Sequence, residues 1–542
     1  AICEINGETI PLLRNKNVFR VSDFVTIEGT TLTIKVYIEN GAGTTAKSTQ
    51  LTIAEPKLTG KFNELRIYQV MVEAFQSGNS LGFYQGYGPS KHDGDIRGII
   101  NALDYIKGLG MNALWLTPIF DTNADKVKDK KLAATGYYAY DFFSIEPNFG
   151  TIEDFKELVE KCHERNMYII LDGVFGHWSE LGCKASPSGL VPERSHGMYD
   201  GCDYPGTNNC TLEFFKEVAT YWIKNYKIDG WRLDQCYQAA LGNGKEGEGC
   251  YTGGHNYWYE IREAVEEAAN ANGTPGINWG SLAYMVGEHW NGNDSNPPTI
   301  QRLSVAPGTA DGYGLRSCFD FPSRYKLVQM FAMEESKNVS GKSLTELDYV
   351  MKSAGAKGYK HPSNDIRADN YVPNLFITNH DLVRFGDLVT WKFDNNNYYK
   401  RHKVALSTLA AYTGPITIYY GDEIGAKSNI TSSSDNAGRT MGKISGFDSE
   451  EQDLHDYVAK LMTIRNENEA LWNGTYKKLE ANKTFFAAEK YTDKQSIVYL
   501  VNYSDSSVSY NVKCNGTDLM TGEPTSSKVS VPALSAMFIL KD

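Results

Sequence analysis

From about residue 60 to residue 470 the chain alternates short apolar runs with longer amphipathic stretches. The runs are RIYQVMV (66–72), NALWLTP (112–118), YIILDGV (168–174), IDGWRLD (228–234), LAYMVGE (282–288), SCFDFP (317–322), NLFITNH (374–380) and ITIYYGD (416–422), eight in all. Between them, stretches such as IINALDYIKGLG, TIEDFKELVEKCHERN, TLEFFKEVATYWIKNY and YWYEIREAVEEAANA place apolar side chains at i, i+3 and i+4, which gives a helix one face to bury. Strands that are apolar throughout and alternate with helices predict a parallel sheet joined by crossovers. Eight such units in about 400 residues predict an α/β fold, a (β/α)8 TIM barrel with insertions, whose active site lies at the C-terminal ends of the strands. A doubly wound open sheet is the alternative, and no GxGxxG or Walker-type loop follows the first run to support it.

The flanks read differently. Residues 1–56 alternate apolar and polar positions in FVTIEG and TLTIKVYIEN and end at Glu55-Pro56, which predicts a small N-terminal β module, immunoglobulin-like or carbohydrate-binding-like. It carries no ionisable cluster, so its expected role is spacing or binding. Residues 473–542 return to period-two alternation in SIVYLVNYSD and SVSYNVKCNG, predicting a C-terminal antiparallel β-sandwich. The catalytic barrel is expected over 57–472.

Composition narrows the partners. Lys+Arg 54 against Asp+Glu 66 gives 54 − 66 = −12, which repels nucleic acid and anionic lipid. No stretch of about 18 apolar residues predicts a transmembrane segment. The expected protein is a monomer. Its 34 Tyr, 23 Phe and 9 Trp suit surfaces that stack on flat ligand faces, although packing accounts for most aromatics.

Five of nine cysteines, Cys183, Cys202, Cys210, Cys236 and Cys250, fall within 183–250 in Gly/Ser/Pro/Asn-rich sequence. They predict one or two disulfides and hence a secreted, periplasmic or cell-surface protein whose signal segment is not in the chain. No CxxC pair is present to suggest zinc. Cys162, inside a helical pattern, is the expected buried free thiol.

Polar groups gather where the strands run out. Asp172 stands near the end of the third run with His177 just beyond it, Arg232 and Asp234 end the fourth, Glu288 ends the fifth, and Asn379-His380 end the seventh with Asp381 next. A single Asp at a strand end is usually a cap; carboxylates and histidines on successive strands, with no clear metal-ligand set, point to acid–base or nucleophilic chemistry at a glycosidic bond. Arg232 and Asp234, two apart on one strand, point to the same side, so the guanidinium is expected to lower the Asp234 pKa and keep it ionised as nucleophile. Glu288, after the apolar YMVG, is expected to be desolvated, to hold its proton and to serve as acid/base.

The ordered motifs DGVFGH (172–177), GWRLD (230–234), VGEHW (286–290) and ITNHD (377–381) resemble those of the α-amylase family of glycoside hydrolases. GDIRGI, TGYYAYDFFSIEPNFGT and GPITIYYGDE extend the resemblance, which covers about 60–542. It implies a retaining mechanism with Asp234 as nucleophile, Glu288 as acid/base and Asp381 holding sugar hydroxyls and helping to distort the ring. It further implies that Tyr137 stacks under the sugar, and that Asp172, His177, Arg232 and His380 hold hydroxyls or brace the carboxylates. A B-type insertion is expected at about 177–211. Departures from the family pattern matter too. Gly176 stands where the family has a calcium-ligating Asn, and Tyr237-Gln238 where it has Lys-His, so the calcium site is expected to be absent and no cofactor is expected. Tyr237 and Gln238 replace residues that touch the sugar on the leaving-group side. The loop 236–250 starts two residues after Asp234, and a Cys236–Cys250 bridge would fix its position.

The implied activity is hydrolysis of α-1,4-glucosidic bonds in starch, glycogen or maltooligosaccharides. Cyclomaltodextrinase or neopullulanase-type hydrolysis and α-glucosyl transfer use the same groups. A catalytically silent glucan-binding protein is the reading from another class, opposed by the presence of Asp234, Glu288 and Asp381 together with Arg232.

Overall fold

The computed structural model describes residues 2–5, 8–11, 31–40, 43–52, 58–192, 210–236, 251–252, 255–273, 275–277, 279–288, 290, 315–352, 373–428 and 436–542. The chain divides into two compact units, Ala1–Lys57 and Leu58–Asp542. In the first, strands Ile2–Ile5, Glu8–Pro11, Thr31–Asn40 and Gly43–Thr52 form one antiparallel sheet in which the second lies at one edge and the fourth at the other. Its longest pairing is a hairpin running from Thr31 opposite Thr52 to Asn40 opposite Gly43.

The second unit is built around eight strands: Arg66–Val70, Ala113–Leu116, Tyr168–Gly173, Gly230–Leu233, Tyr284–Gly287, Ser317–Cys318, Leu375–Phe376 and Ile416–Tyr419. Each falls within one of the eight apolar runs. Consecutive strands pair in parallel, the first also pairs with the eighth, and a parallel bridge between Phe319 and Asn374 joins the sixth to the seventh. The sheet therefore closes into the TIM barrel that the apolar runs predict. Every residue of these strands is buried, as strands covered by helices on one side and barrel side chains on the other must be.

Local chemistry sets the spacing. The helix Ile152–Glu164 starts at a capping box in which Thr151 and Asp154 satisfy each other's backbone N–H groups, and it buries Phe155, Leu158, Val159 and Cys162, as its periodicity predicts. Gly230 is required where the fourth and fifth strands meet, because a Cβ there would lie 1.9 Å from the Tyr284 carbonyl oxygen. The resulting register sets Arg232 opposite Asp172 on one side and Val286 on the other.

Beyond the barrel, six strands form an antiparallel sheet and Val508–Asn511 pairs with Lys528–Val531 in a second. Phe485, Val498, Leu500, Val529, Val531 and Ile539 fill the space between them. The first sheet also joins the barrel core through Phe486, Tyr499 and Phe538, with the Tyr499 hydroxyl 2.8 Å from Ser407 Oγ and Arg401 Nη1 donating to Tyr503 at 2.8 Å. Of the expected insertion, residues 193–209 lie outside the described residues. Its described start lies along Ala139 and Tyr140, with Ser179 N and Lys184 N donating to their carbonyls at 2.9 and 2.8 Å.

Candidate active site

At the C-terminal ends of the strands lies a cleft of about 470 Å³, lined among others by Tyr137, His177, Asp234, Glu288, His380 and Asp381. Beneath its floor sits Arg232, buried and shared among three carboxylates. Its Nη1 donates to Asp172 Oδ1 at 2.9 Å and to Asp234 Oδ1 at 3.0 Å, and its Nη2 lies 2.8 Å from Glu288 Oε1. Glu288 Oε2 accepts from the Gln235 backbone N–H at 3.0 Å, and His177 Nε2 lies 3.8 Å from Asp234 Oδ2. Asp172 is fully buried below the cleft, where it also accepts from the Tyr137 hydroxyl at 2.7 Å and Trp115 Nε1 at 3.3 Å.

A second group stands on the strand-seven side. His380 Nδ1 accepts from Gln69 Nε2 at 2.7 Å, a tautomer that leaves the proton on Nε2, which lies 3.1 Å from Asp381 Oδ2 and 2.7 Å from the Tyr137 oxygen. The Tyr137 ring is stacked on His380 with centroids 5.4 Å apart. Arg439 donates from Nη2 to Asp381 Oδ1 at 2.9 Å and from Nε to the His380 carbonyl at 3.1 Å.

Burial and charge then sort the protons. Three carboxylates around one guanidinium cannot all ionise cheaply in a buried site. Burial pushes Glu288 up to about 8, Asp234 up to about 7 and Asp172 up to about 6, with Arg232 pulling each back down. This corrects the expectation that Arg232 leaves Asp234 with a lowered pKa: the cation is divided among three anions, and Asp172 and Asp381 add repulsion to the cost of burial. The order keeps the last proton on Glu288. Burial also acts on Asp381, but His380, Arg439 and Arg232 together outweigh it and hold that carboxyl below its ordinary range. Burial lowers His380 to about 3, which keeps it neutral.

The structure thus brings together Tyr137, Asp172, His177, Arg232, Asp234, Glu288, His380 and Asp381. Tyr237 and Gln238 lie outside the described residues. Sequence reasoning missed Arg439, which lies in a loop without periodicity. It missed Gln69 and Trp115 as well, although a glutamine inside the apolar run RIYQVMV was a visible signal. Trp290, the last residue of VGEHW, lines the cleft with its ring stacked on Phe321 at 5.6 Å.

The family model described as "Alpha amylase, catalytic domain" matches residues 69–184 and 206–453. The chain belongs to the α-amylase family. It is a glycoside hydrolase of that family, similar to a cyclomaltodextrinase of Thermoanaerobacter pseudethanolicus (27% identical, covering 84% of this chain and 73% of the relative). It is also similar to the intracellular maltogenic amylase of Bacillus subtilis (25% identical, 80% of this chain and 68% of the relative). Among solved structures, AmyP in complex with maltose is 37% identical over 88% of this chain and 96% of that one, with a TM-score of 0.75.

Two expectations fall with these findings. Within this α-amylase-family chain Cys236 is a buried free thiol whose Sγ donates to the Glu288 carbonyl at 3.0 Å, and Cys183 is also unbridged. The Cys236–Cys250 disulfide is therefore not formed; Cys236 occupies space left by Gly287, whose Cβ would lie 2.6 Å from that sulfur. The side chains of Cys202, Cys210 and Cys250 lie outside the described residues, and Cys162 is buried and free as expected. The secreted, periplasmic or cell-surface assignment rested on those bridges, and a relative named as intracellular overturns it. Among the described residues no helix is long and apolar enough to cross a membrane.

Proposed function

We propose that the chain hydrolyses α-1,4-glucosidic bonds in maltooligosaccharides and cyclic maltodextrins, with retention of anomeric configuration. The observation that carries this reading is the single guanidinium of Arg232 bonded to both Asp234 and Glu288. Such a bridge favours the close pairing, roughly 5–5.5 Å between carboxyl groups, that retaining enzymes use. The names of the relatives, cyclomaltodextrinase and maltogenic amylase, support the substrate class.

In the first step an oxygen of ionised Asp234 attacks the anomeric carbon while Glu288 gives its proton to the departing glycosidic oxygen; the C–O bond breaks and a glycosyl ester forms. In the second, Glu288 takes a proton from water, the water oxygen bonds to the anomeric carbon, and the ester releases Asp234. Asp234 Oδ1 is tied to Arg232, which leaves Oδ2, on the His177 side, as the attacking atom. Asp381, held ionised by Arg439, accepts hydrogen bonds from sugar hydroxyls beside neutral His380. Asp172 and Arg232 brace the pair from below.

We further propose that no calcium braces the third-strand loop, since Gly176 offers no side-chain oxygen to a hard cation. Activity is then unchanged by EDTA. The primary test is a proton NMR time course on maltoheptaose and on a cyclic maltodextrin, with Asp234→Asn as control. Fresh α-anomer that disappears in the variant is expected. An initial β-anomer removes the assignment of Asp234, and products longer than the substrate redirect the reading to glucosyl transfer.

A further inference from the structure

Outside the cleft the structure holds a larger cavity, about 700 Å³ against about 470 Å³, a size that accommodates a drug-sized ligand. Its walls come from the loop before the helix Tyr398–Ala411, the turn after the eighth barrel strand, and the segment that also walls the cleft. Asn436 and Arg439 face the cleft, while Thr440 and Met441 face this cavity.

The wall is built at a cost. Asp394, Asn395 and Asn397 all have left-handed backbones, with φ of 48°, 64° and 55°, a concentration that non-glycine residues seldom show. This loop sets Asn395 and Asn397 on the cavity. Behind them Tyr398 packs edge-on to Tyr399 with centroids 5.1 Å apart, and Gly425 lets the rings sit close, since a Cβ there would lie 3.3 Å from Tyr399 Cε1. Tyr399 is half-buried, so part of its ring faces the cavity, and Met441 is 49% exposed.

The lining is polar but close to neutral. Lys443 pairs with Glu451 at 2.5 Å, Lys427 donates to Asn395 Oδ1 at 3.1 Å and caps the Tyr398 ring at 5.1 Å, and Lys400 and Glu450 add one charge of each sign. Glu450 and Glu451 offset two of the three lysines, so the wall gathers no concentrated positive charge for a phosphate or other anion. Apolar ring and thioether surface beside asparagine amides suits a neutral ligand with apolar faces and hydroxyl edges.

We propose that this cavity is a second carbohydrate-binding site, in which Tyr399 and Met441 cover a sugar face and Asn395 and Asn397 bond its hydroxyls. That the sugar is an α-glucan rests on the proposed function. Because one backbone segment walls both cavities, a glucan held here keeps its neighbouring units at raised local concentration beside the cleft.

Maltotriose is the probe, titrated calorimetrically into the full chain carrying Asp234→Asn so that it is not consumed. Two sites are expected, with Tyr399→Ala removing one, weakening it at least ~10-fold, and Tyr399→Phe restoring it. In the otherwise native enzyme Tyr399→Ala leaves maltotriose turnover unchanged and lowers kcat/KM on soluble starch about three- to tenfold. Met441→Gln gives the same pattern should Tyr399→Ala fold poorly. A single site untouched by Tyr399→Ala overturns the proposal and leaves the proposed function standing. A single site lost with Tyr399→Ala, in a protein without turnover, upholds this site and removes that function. Binding at neither site overturns both, and displacement of maltotriose by inorganic phosphate overturns the neutral-ligand assignment.

Discussion

Each end of the barrel buries an arginine, and the two are used in opposite ways. At the C-terminal end Arg232 meets Asp172, Asp234 and Glu288. At the N-terminal end Arg465, equally buried, meets no carboxylate: it donates to the backbone carbonyls of Ala410 at 3.1 Å, Tyr412 at 2.5 Å and Asn63 at 3.2 Å, and to that of Gly414. Burial strips charge from both, but the three anions hold Arg232 well above its ordinary pKa, whereas burial and neighbouring Arg66 press Arg465 down. Carbonyl dipoles can satisfy a guanidinium's donors without leaving any proton unsettled. Carboxylates create a site whose proton count changes near neutral pH, and that is the property acid–base chemistry needs. One end is thus built for holding and the other for reacting, as the barrel architecture predicts.

The sharpest way to break this contrast is to remove an anion at the reacting end. Asp234→Asn is expected to lower kcat on maltoheptaose by on the order of 10⁴-fold, with the urea midpoint unchanged or raised because a buried like charge is gone. A variant that keeps its rate shows that Arg232 and its anions serve only the fold. At the other end, Arg465→Met leaves five carbonyls, that of Leu409 included, without this donor. It is expected to cost about 3–5 kcal/mol of stability, measured by urea unfolding, while kcat on the folded fraction stays at the native value.

How much of this contrast could be read from the sequence depends on whether pattern or three-dimensional proximity carries it. All eight barrel strands were legible, because each is buried on both faces and so leaves an unbroken apolar run. Asp172, Asp234, Glu288 and Asp381 were legible because each stands at or just beyond the end of such a run. The raised pKa of Asp234 was not: the local pair Arg232–Asp234 is visible, but the sharing of that guanidinium with Asp172 and Glu288 depends on strand register. Arg439 and Arg465 reach their partners from a loop and a C-terminal helix, where an arginine looks like any surface residue. The cysteines misled for a related reason, since a thiol filling the space above Gly287 and a thiol awaiting a bridge look alike in composition.

The proton inventory gives a smaller, more specific test. Glu288 is raised by burial first and then, against Arg232, by the charge of Asp234. A raised acid keeps its proton until the pH passes its folded value, so kcat/KM should rise as Asp234 ionises near 7 and fall as Glu288 deprotonates near 8. The same sign applies to stability: the contribution of the protonated carboxyls is present at low pH and is lost as the pH rises through these values. In Asp234→Asn, carbon NMR of the Glu288 carboxyl should show titration lower by about 1 unit, ~1.4 kcal/mol. An unmoved titration shows that burial alone sets it and that the carboxylates do not act as one coupled cluster.

The smallest effect expected concerns Arg439, which no strand pattern announces. Its Nη2 fixes Asp381 Oδ1 and its Nε fixes the His380 carbonyl, so it sets both the charge and the aim of the carboxylate proposed to receive sugar hydroxyls. Arg439→Lys keeps a cation but cannot make both contacts from one planar fork. Charge holding Asp381 ionised then survives while its orientation loosens. The expected result is a fall of about three- to tenfold in kcat/KM, carried by both KM and kcat, with the titration of the Asp381 carboxyl little changed. Arg439→Gln removes the charge as well, so Asp381 holds its proton to higher pH, and the carbon NMR titration of its carboxyl moves upward. If Lys and Gln shift the Asp381 titration equally, the charge of Arg439 is immaterial to Asp381. The ionisation of Asp381 then rests on the neighbouring His380 and Arg232, and the reacting end depends more heavily on the one guanidinium at its centre.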